Sequence, residues 1–167
     1  MRNSQLLAAA AIALTLAACG KSMGERAAEA AIEASTGKKA EVDAKNGEVK
    51  FQTDKGEMKI TAGDTATLPA TFPKDVYLPE HYAVKSAMEM PGAMVLQVEA
   101  PGAVGTLAAE AGKRMQAEGW KQTVAMSQTA ESQVIVYEKD KRSATLSFND
   151  NAGKGVTLGV QVATNQQ

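Results

Sequence analysis

From residue 40 onward, apolar side chains recur at every second position, and short turn signals break the runs. That two-residue period constrains the chain more than any other feature, because it demands strands with one buried face. The clearest run is Val156, Leu158, Val160 and Val162, alternating with polar or small residues. Residues 40–62 read as a three-stranded meander. Asn46-Gly47 is a strong hairpin signal, since both central positions of a type I′ turn need positive φ. Closing it on Lys45 and Glu48 pairs Asp43 with Lys50 and Val42 with Phe51. A second turn at Lys55-Gly56 opposes Phe51 to Ile60 and Thr53 to Met58, at the cost of Asp54 against Glu57. Val42, Val49, Phe51, Met58 and Ile60 then share one face.

A Pro-punctuated connector follows, Leu68-Pro69-Ala70-Thr71-Phe72-Pro73-Lys74-Asp75-Val76-Tyr77-Leu78-Pro79. Proline lacks a backbone donor and biases its predecessor to extended geometry, which predicts an ordered, non-helical crossing. Extended segments at 83–90 and 93–100 flank Pro91-Gly92. A helix is expected from about Ala103 to Glu118, where Val104, Leu107, Ala108, Ala111 and Met115 form one apolar stripe and Gly119 supplies the stop. Strands are expected at 120–128, 133–139, 143–149 and 156–164. The order ββαββββ predicts an α+β fold, one helix packed on an antiparallel sheet, preceded by the three-stranded meander and an N-terminal helix or tether.

Composition removes whole classes of function. The chain of 167 residues has a formal net charge of −1, which offers no basic face for nucleic acid. One Cys excludes an intramolecular disulfide, and a single His argues against the usual zinc sites.

The first residues read as an address. Met1 to Gln5 is polar with one positive side chain, Arg2, and Leu6 to Ala18 is apolar except for Thr15. Thirteen such residues make about 20 Å of helix, short of the ~30 Å needed to span a bilayer, so the pattern is that of a secretory signal peptide. Leu16-Ala17-Ala18-Cys19 resembles the lipobox of bacterial lipoproteins. The resemblance implies cleavage before Cys19, a diacylglycerol on its sulfur and an acylated amino terminus. Gly20 in place of Asp implies the outer membrane. Several acyl chains, each CH₂ contributing about 0.8 kcal/mol, would anchor the protein firmly. The expected divisions are 1–18 signal peptide, 19–38 lipidated Cys with an Ala/Glu-rich tether or helix, 39–63 meander, 64–82 connector and 83–167 α+β domain. In the tether, Glu25, Glu29 and Glu33 share one helical face, and Met23, Ala27, Ala31 and Ala34 the opposite one.

Candidate chemistry is sparse. Gly20-Lys21-Ser22 lacks the upstream glycine of a phosphate loop, and Gly153-Lys154-Gly155 leads into a strand rather than a helix. His81 is the one imidazole; Ser86 and Asp75 are near it only in sequence, so no triad is implied. His81 with Met88, Met90 and Met94 forms a Cu(I) candidate set, because thioethers suit that ion. Against it, a two-residue turn at Pro91-Gly92 puts Met88 and Met90 on one face and Met94, opposite Glu89, on the other, and Met is a common core filler. Pro-Gly favours a type II turn poorly matched to a tight hairpin, so a wider loop would restore the set.

Taken together, the lipobox, the meander Glu48–Ala62, the Leu68–Pro79 stretch and the helix ending in Gly119-Trp120 resemble small lipoproteins of Gram-negative envelopes that carry a type II signal peptide. A weaker, fold-level similarity is to accessory lipoproteins of the outer-membrane β-barrel assembly machinery. The resemblance implies a location, not catalytic residues. The expected function is therefore non-enzymatic, an interaction or structural role at the outer membrane, periplasm-facing. Its partners would be membrane lipid through Cys19 and an envelope protein, with no cofactor and no nucleic acid. The alternative is a periplasmic module binding a small ligand or Cu(I).

Overall fold

The computed structural model describes residues 21–164; the segment read as a signal peptide, residues 1–18, lies outside the described residues, as do Cys19, Gly20 and residues 165–167. The first element is helix α1, Met23–Thr36. Its start is specified locally by a capping box: the Ser22 hydroxyl accepts from the Glu25 N–H, and the Glu25 carboxylate accepts from the Ser22 N–H. Gly37, with φ +68°, ends it in the left-handed conformation. The half-buried face is Glu25, Ala28, Glu29 and Ile32, not the stripe of Met23, Ala27, Ala31 and Ala34, which is exposed. Ala28 and Ile32 supply more contact than four small or terminal side chains on the other side could.

Strands β1 (Ala40–Asp43), β2 (Glu48–Thr53), β3 (Gly56–Ala62), β4 (Ala83–Met90) and β5 (Ala93–Ala100) follow. Helix α2 (Val104–Ala117) precedes β6 (Lys121–Thr129), β7 (Ser132–Lys139), β8 (Arg142–Asp150) and β9 (Val156–Thr164). All nine strands lie in one antiparallel sheet, ordered β1-β2-β3-β4-β5-β9-β8-β7-β6. This corrects the expected α+β arrangement of one helix on a small sheet with a separate meander. The ladder is unbroken between β3 and β4, where Lys59, Ile60, Thr61 and Ala62 oppose Glu89, Met88, Ala87 and Ser86. The physical cause is the half-buried apolar face of the meander. Three strands alone are marginal, and the edge of β4 completes their ladder.

The meander's register also differs from expectation. Val42 opposes Val49 and Glu41 opposes Lys50, across a loop of residues 44–47. The Asp43 carboxylate causes this by accepting from the N–H groups of Lys45 and Asn46 and from the Asn46 side chain. Such aspartate-centred turns compete directly with a two-residue hairpin. The second turn is Asp54-Lys55, which pairs Thr53 with Gly56 and Gln52 with Glu57, so Asp54 and Glu57 are not opposed. Both slips preserve side-chain parity, so the apolar residues still share a face.

Only one part of the sheet is covered. Between β5 and β6 the chain crosses through α2, and the buried stripe of Val104, Leu107, Ala108, Ala111 and Met115 faces the sheet. Beneath it lie Leu96 and Val98 of β5, Leu158 and Val160 of β9, Leu146 and Phe148 of β8, and Ile135 and Tyr137 of β7, all buried. The connector closes one end with Phe72, Val76 and Tyr77. Gly155 is glycine for two reasons: its φ is +120°, and a Cβ there would stand 2.4 Å from the Ala100 carbonyl oxygen. On the same face, β1–β3 carry charges instead: Lys59 and Lys50 pair with Glu48, and Lys21 pairs with Glu41. Among the described residues no helix is long and apolar enough to cross a membrane.

Candidate functional site

The two edges of the sheet are treated differently. At β1, α1 supplies side chains that substitute for a further strand: the Val42 N–H donates to Glu29 Oε1 (2.8 Å) and the Ala44 N–H to Glu25 Oε1 (2.9 Å). These hydrogen bonds hold both carboxyls below the usual glutamate range. For Glu25 the Ala44 N–H is the largest cause; for Glu29 it is the Lys21 ammonium, then the Val42 N–H. An exposed row of strand donors invites pairing with another chain, and here the Val42 donor and the Ala44 donor just past the strand are occupied.

At the other edge, no described residue covers β6 in this way. Residues 121–127 are all exposed, Val124 at 40% and Met126 at 52%. Register shifts against β7 occur between Gln122 and Val124 and again between Ser127 and Thr129, leaving Val124–Ser127 regular. Val124 opposes Val136 and Met126 opposes Val134, so a small apolar patch backs the free edge. Lys121 is the one charged residue in the strand.

Near this edge a charged clamp fixes the connector. The Asp75 carboxylate accepts two hydrogen bonds from Arg142 (2.7 and 3.0 Å) and one from Lys139 (2.8 Å). Arg142 lies over the Trp120 ring at 4.9 Å, and Trp120 Nε1 donates to the Asp75 carbonyl at 2.7 Å. Lys139 also donates to the Glu118 carbonyl, which answers the negative end of α2. Arg142 foremost, then Lys139, holds the Asp75 carboxyl far below the usual carboxylate range against the opposing cost of desolvation. The helix end delivers Trp120 to this place: the Gly119 N–H bonds the Gln116 carbonyl and the Trp120 N–H bonds the Met115 carbonyl, with Gly119 at φ +84°.

Because α2 stops short of β6, a cleft of about 720 Å³ opens between Ala109, Gly112, Lys113 and Gln116 of the helix and Lys121 and Gln122 of the strand. Tyr137 and Trp120 also line it. This size is in the usual range for small-molecule sites. The four helical residues are spaced i, i+3, i+4, i+7, so they form one stripe beside the core stripe.

The residues singled out from the sequence fall elsewhere. His81 is an exposed connector residue. Met88 opposes Val95, and Met94 opposes Glu89 across the Pro91-Gly92 turn, so Met88 and Met94 emerge on opposite faces. Met90 and Met94 both line a cavity of about 190 Å³ at the sheet's end, to which neither His81 nor Met88 contributes. The structure thus brings two of the four candidates around one space. Cys19 lies outside the described residues. Sequence reasoning missed Tyr137, Lys113 and Lys121, because nothing in the local pattern says which face of α2 meets which strand. No protein-family model, no curated protein and no solved structure matches this chain.

Proposed function

We propose that this chain is a non-catalytic interaction protein of the Gram-negative envelope, anchored to the outer membrane through acylated Cys19 and facing the periplasm. In this reading an extended segment of a partner protein docks on β6 as a tenth strand. The observation that carries it is the contrast between the edges: Glu29 occupies the Val42 donor of β1 and Glu25 the Ala44 donor just past it, while the described residues leave β6 exposed, Val124 and Met126 included. Main-chain pairing would provide affinity, and the two side chains selectivity. The flanking register shifts limit an added strand to the regular stretch, which restrains indiscriminate pairing. With strands about 4.8 Å apart, the open edge of this nine-stranded sheet is about 40 Å from β1, against which Lys21 and Ser22 sit. The tether therefore enters at the blocked edge and leaves the open one free.

The test places a photoreactive residue at Thr129, and at Glu41 as a control, in membranes of the native host. A heterologous protein should crosslink from position 129 and not from 41. Val124→Lys with Met126→Lys should abolish that crosslink while changing stability by no more than about 0.5 kcal/mol per exposed site. Crosslinking that survives the lysines, occurs equally from 41, or joins only copies of this chain overturns the strand-addition reading. Intact mass of the same purified material checks the anchor: a chain lacking lipid on Cys19 removes the localisation.

A further inference from the structure

The floor of the cleft between α2 and β6 contains an anomaly. Tyr137 is 1% exposed, and its hydroxyl has no hydrogen-bond partner among the described residues. A buried hydroxyl left unpaired costs about 1–3 kcal/mol, so one kept by a fold calls for an explanation. Desolvation raises the phenol above its ordinary value, so the group remains a neutral O–H donor.

What lies above that hydroxyl is Gly112. A Cβ at position 112 would meet only the Tyr137 oxygen, at 3.8 Å, an ordinary contact. Packing therefore does not require glycine here, although glycine within a helix is about 1 kcal/mol worse than alanine. Gly105 of the same helix also has open space around it, but nothing polar lies beneath it. At 112, the missing side chain leaves the thinnest possible cover over an unpaired donor. Lys113 and Lys121 flank the opening, and among the described residues neither forms an ion pair. Gln116 and Gln122 add amides, while Ala109 and the edges of the buried Trp120 and Tyr137 rings form the apolar wall.

We propose that this cleft binds a small organic anion with an apolar body and a second oxygen acceptor. The anionic group is held by Lys113 and Lys121, the apolar body lies against Ala109 and the edges of Trp120 and Tyr137, and the second oxygen accepts from the Tyr137 hydroxyl beside Gly112. This ligand site is independent of strand addition at β6.

Trp120 is the chain's single tryptophan, so its emission reports on the cleft directly. The experiment titrates the full-length protein with para-oxocyclohexanecarboxylate, which has a carboxylate, an alicyclic body and a ketone oxygen and does not absorb where tryptophan emits. Cyclohexanone, lacking the anion, and cyclohexanecarboxylate, lacking the ketone, are the comparators. Saturable change in Trp120 emission at millimolar or lower probe is expected, with both comparators at least fivefold weaker. Lys113→Gln with Lys121→Gln should weaken the probe about tenfold or more, as loss of charge-assisted hydrogen bonds implies. Tyr137→Phe should weaken it about fivefold and leave the free protein as stable as before, or more so. Gly112→Ala should raise the melting temperature yet weaken binding, whereas Gly105→Ala raises it with binding unchanged. Absence of saturation overturns the proposal, as does equal affinity in the lysine and Tyr137 variants. A clear loss of stability in unliganded Tyr137→Phe also overturns it, because the hydroxyl would then be serving the fold.

Discussion

Phe148→Ala is expected to destabilise the protein by about 3–5 kcal/mol, the range for deleting a fully buried aromatic side chain. Phe148 has no exposed surface and lies in the middle of the covered half of the sheet, opposite Leu158 on β9 and Gln133 on β7. Its neighbours along the core face, Leu146 and Leu158, are equally inaccessible, so the vacated volume has no flexible surface residue to fill it. Urea denaturation of the variant beside the parent reads the difference. Met126→Ala, at a site 52% exposed, should stay within about 0.5 kcal/mol and serves as the contrast. A Phe148→Ala loss below 1 kcal/mol would mean that α2 does not press on this part of the sheet.

Asp75→Asn is expected to cost about 2 kcal/mol at neutral pH, less than the 3–5 typical of a deeply buried pair because the Asp75 side chain retains 21% exposure. The substitution keeps the shape but leaves Arg142 and Lys139 without their counter-charge. It also makes a specific prediction about acid. The folded-state value of Asp75 lies well below its ordinary 3.8, so its stabilising contribution is complete above about pH 4. That contribution is lost as the pH falls through the folded-state value. The gap in stability between parent and Asp75→Asn should therefore be constant from neutral pH to about pH 5 and narrow progressively below pH 4. Comparing the two proteins isolates Asp75 from Glu25, Glu29 and Glu48, whose values are also lowered. A gap independent of pH down to about pH 2 would show that the clamp acts through packing of Arg142 on Trp120 and not through the carboxylate charge.

Local features of this fold were legible in the sequence, and long-range ones were not. Alternation identified β9, where Val156, Leu158, Val160 and Val162 are all buried, and the α2 stripe is buried residue for residue. Pro91-Gly92 forms a two-residue turn that pairs Met90 with Ala93, although Pro-Gly suits a tight hairpin poorly and leaves a wider loop open. The seam between β3 and β4 left no such trace, because pairing across twenty connector residues has no local signature. Ile60 and Met88 look the same whether they face each other or separate neighbours. The meander register failed for a different reason: the Asp43 carboxylate captured the turn, and a carboxylate's choice among nearby N–H groups is not written in periodicity. The cleft was illegible because it arises where a helix stops short of an edge strand. Only after α2 is placed do Gly112 and Tyr137 become neighbours.

The position of β9 has a consequence for how the molecule assembles. It is the last described strand in the chain, yet it lies inside the sheet, bonded to β5 on one side and β8 on the other. Until β9 arrives, the chain consists of a five-strand half and a three-strand half, each with a raw inner edge and joined only through α2. Closing the loop from β5 to β9 is entropically costly, and topologies of this kind fold slowly. The insertion of β9 is thus a sealing step. A ribosome must release β9 before the two halves can become one protein.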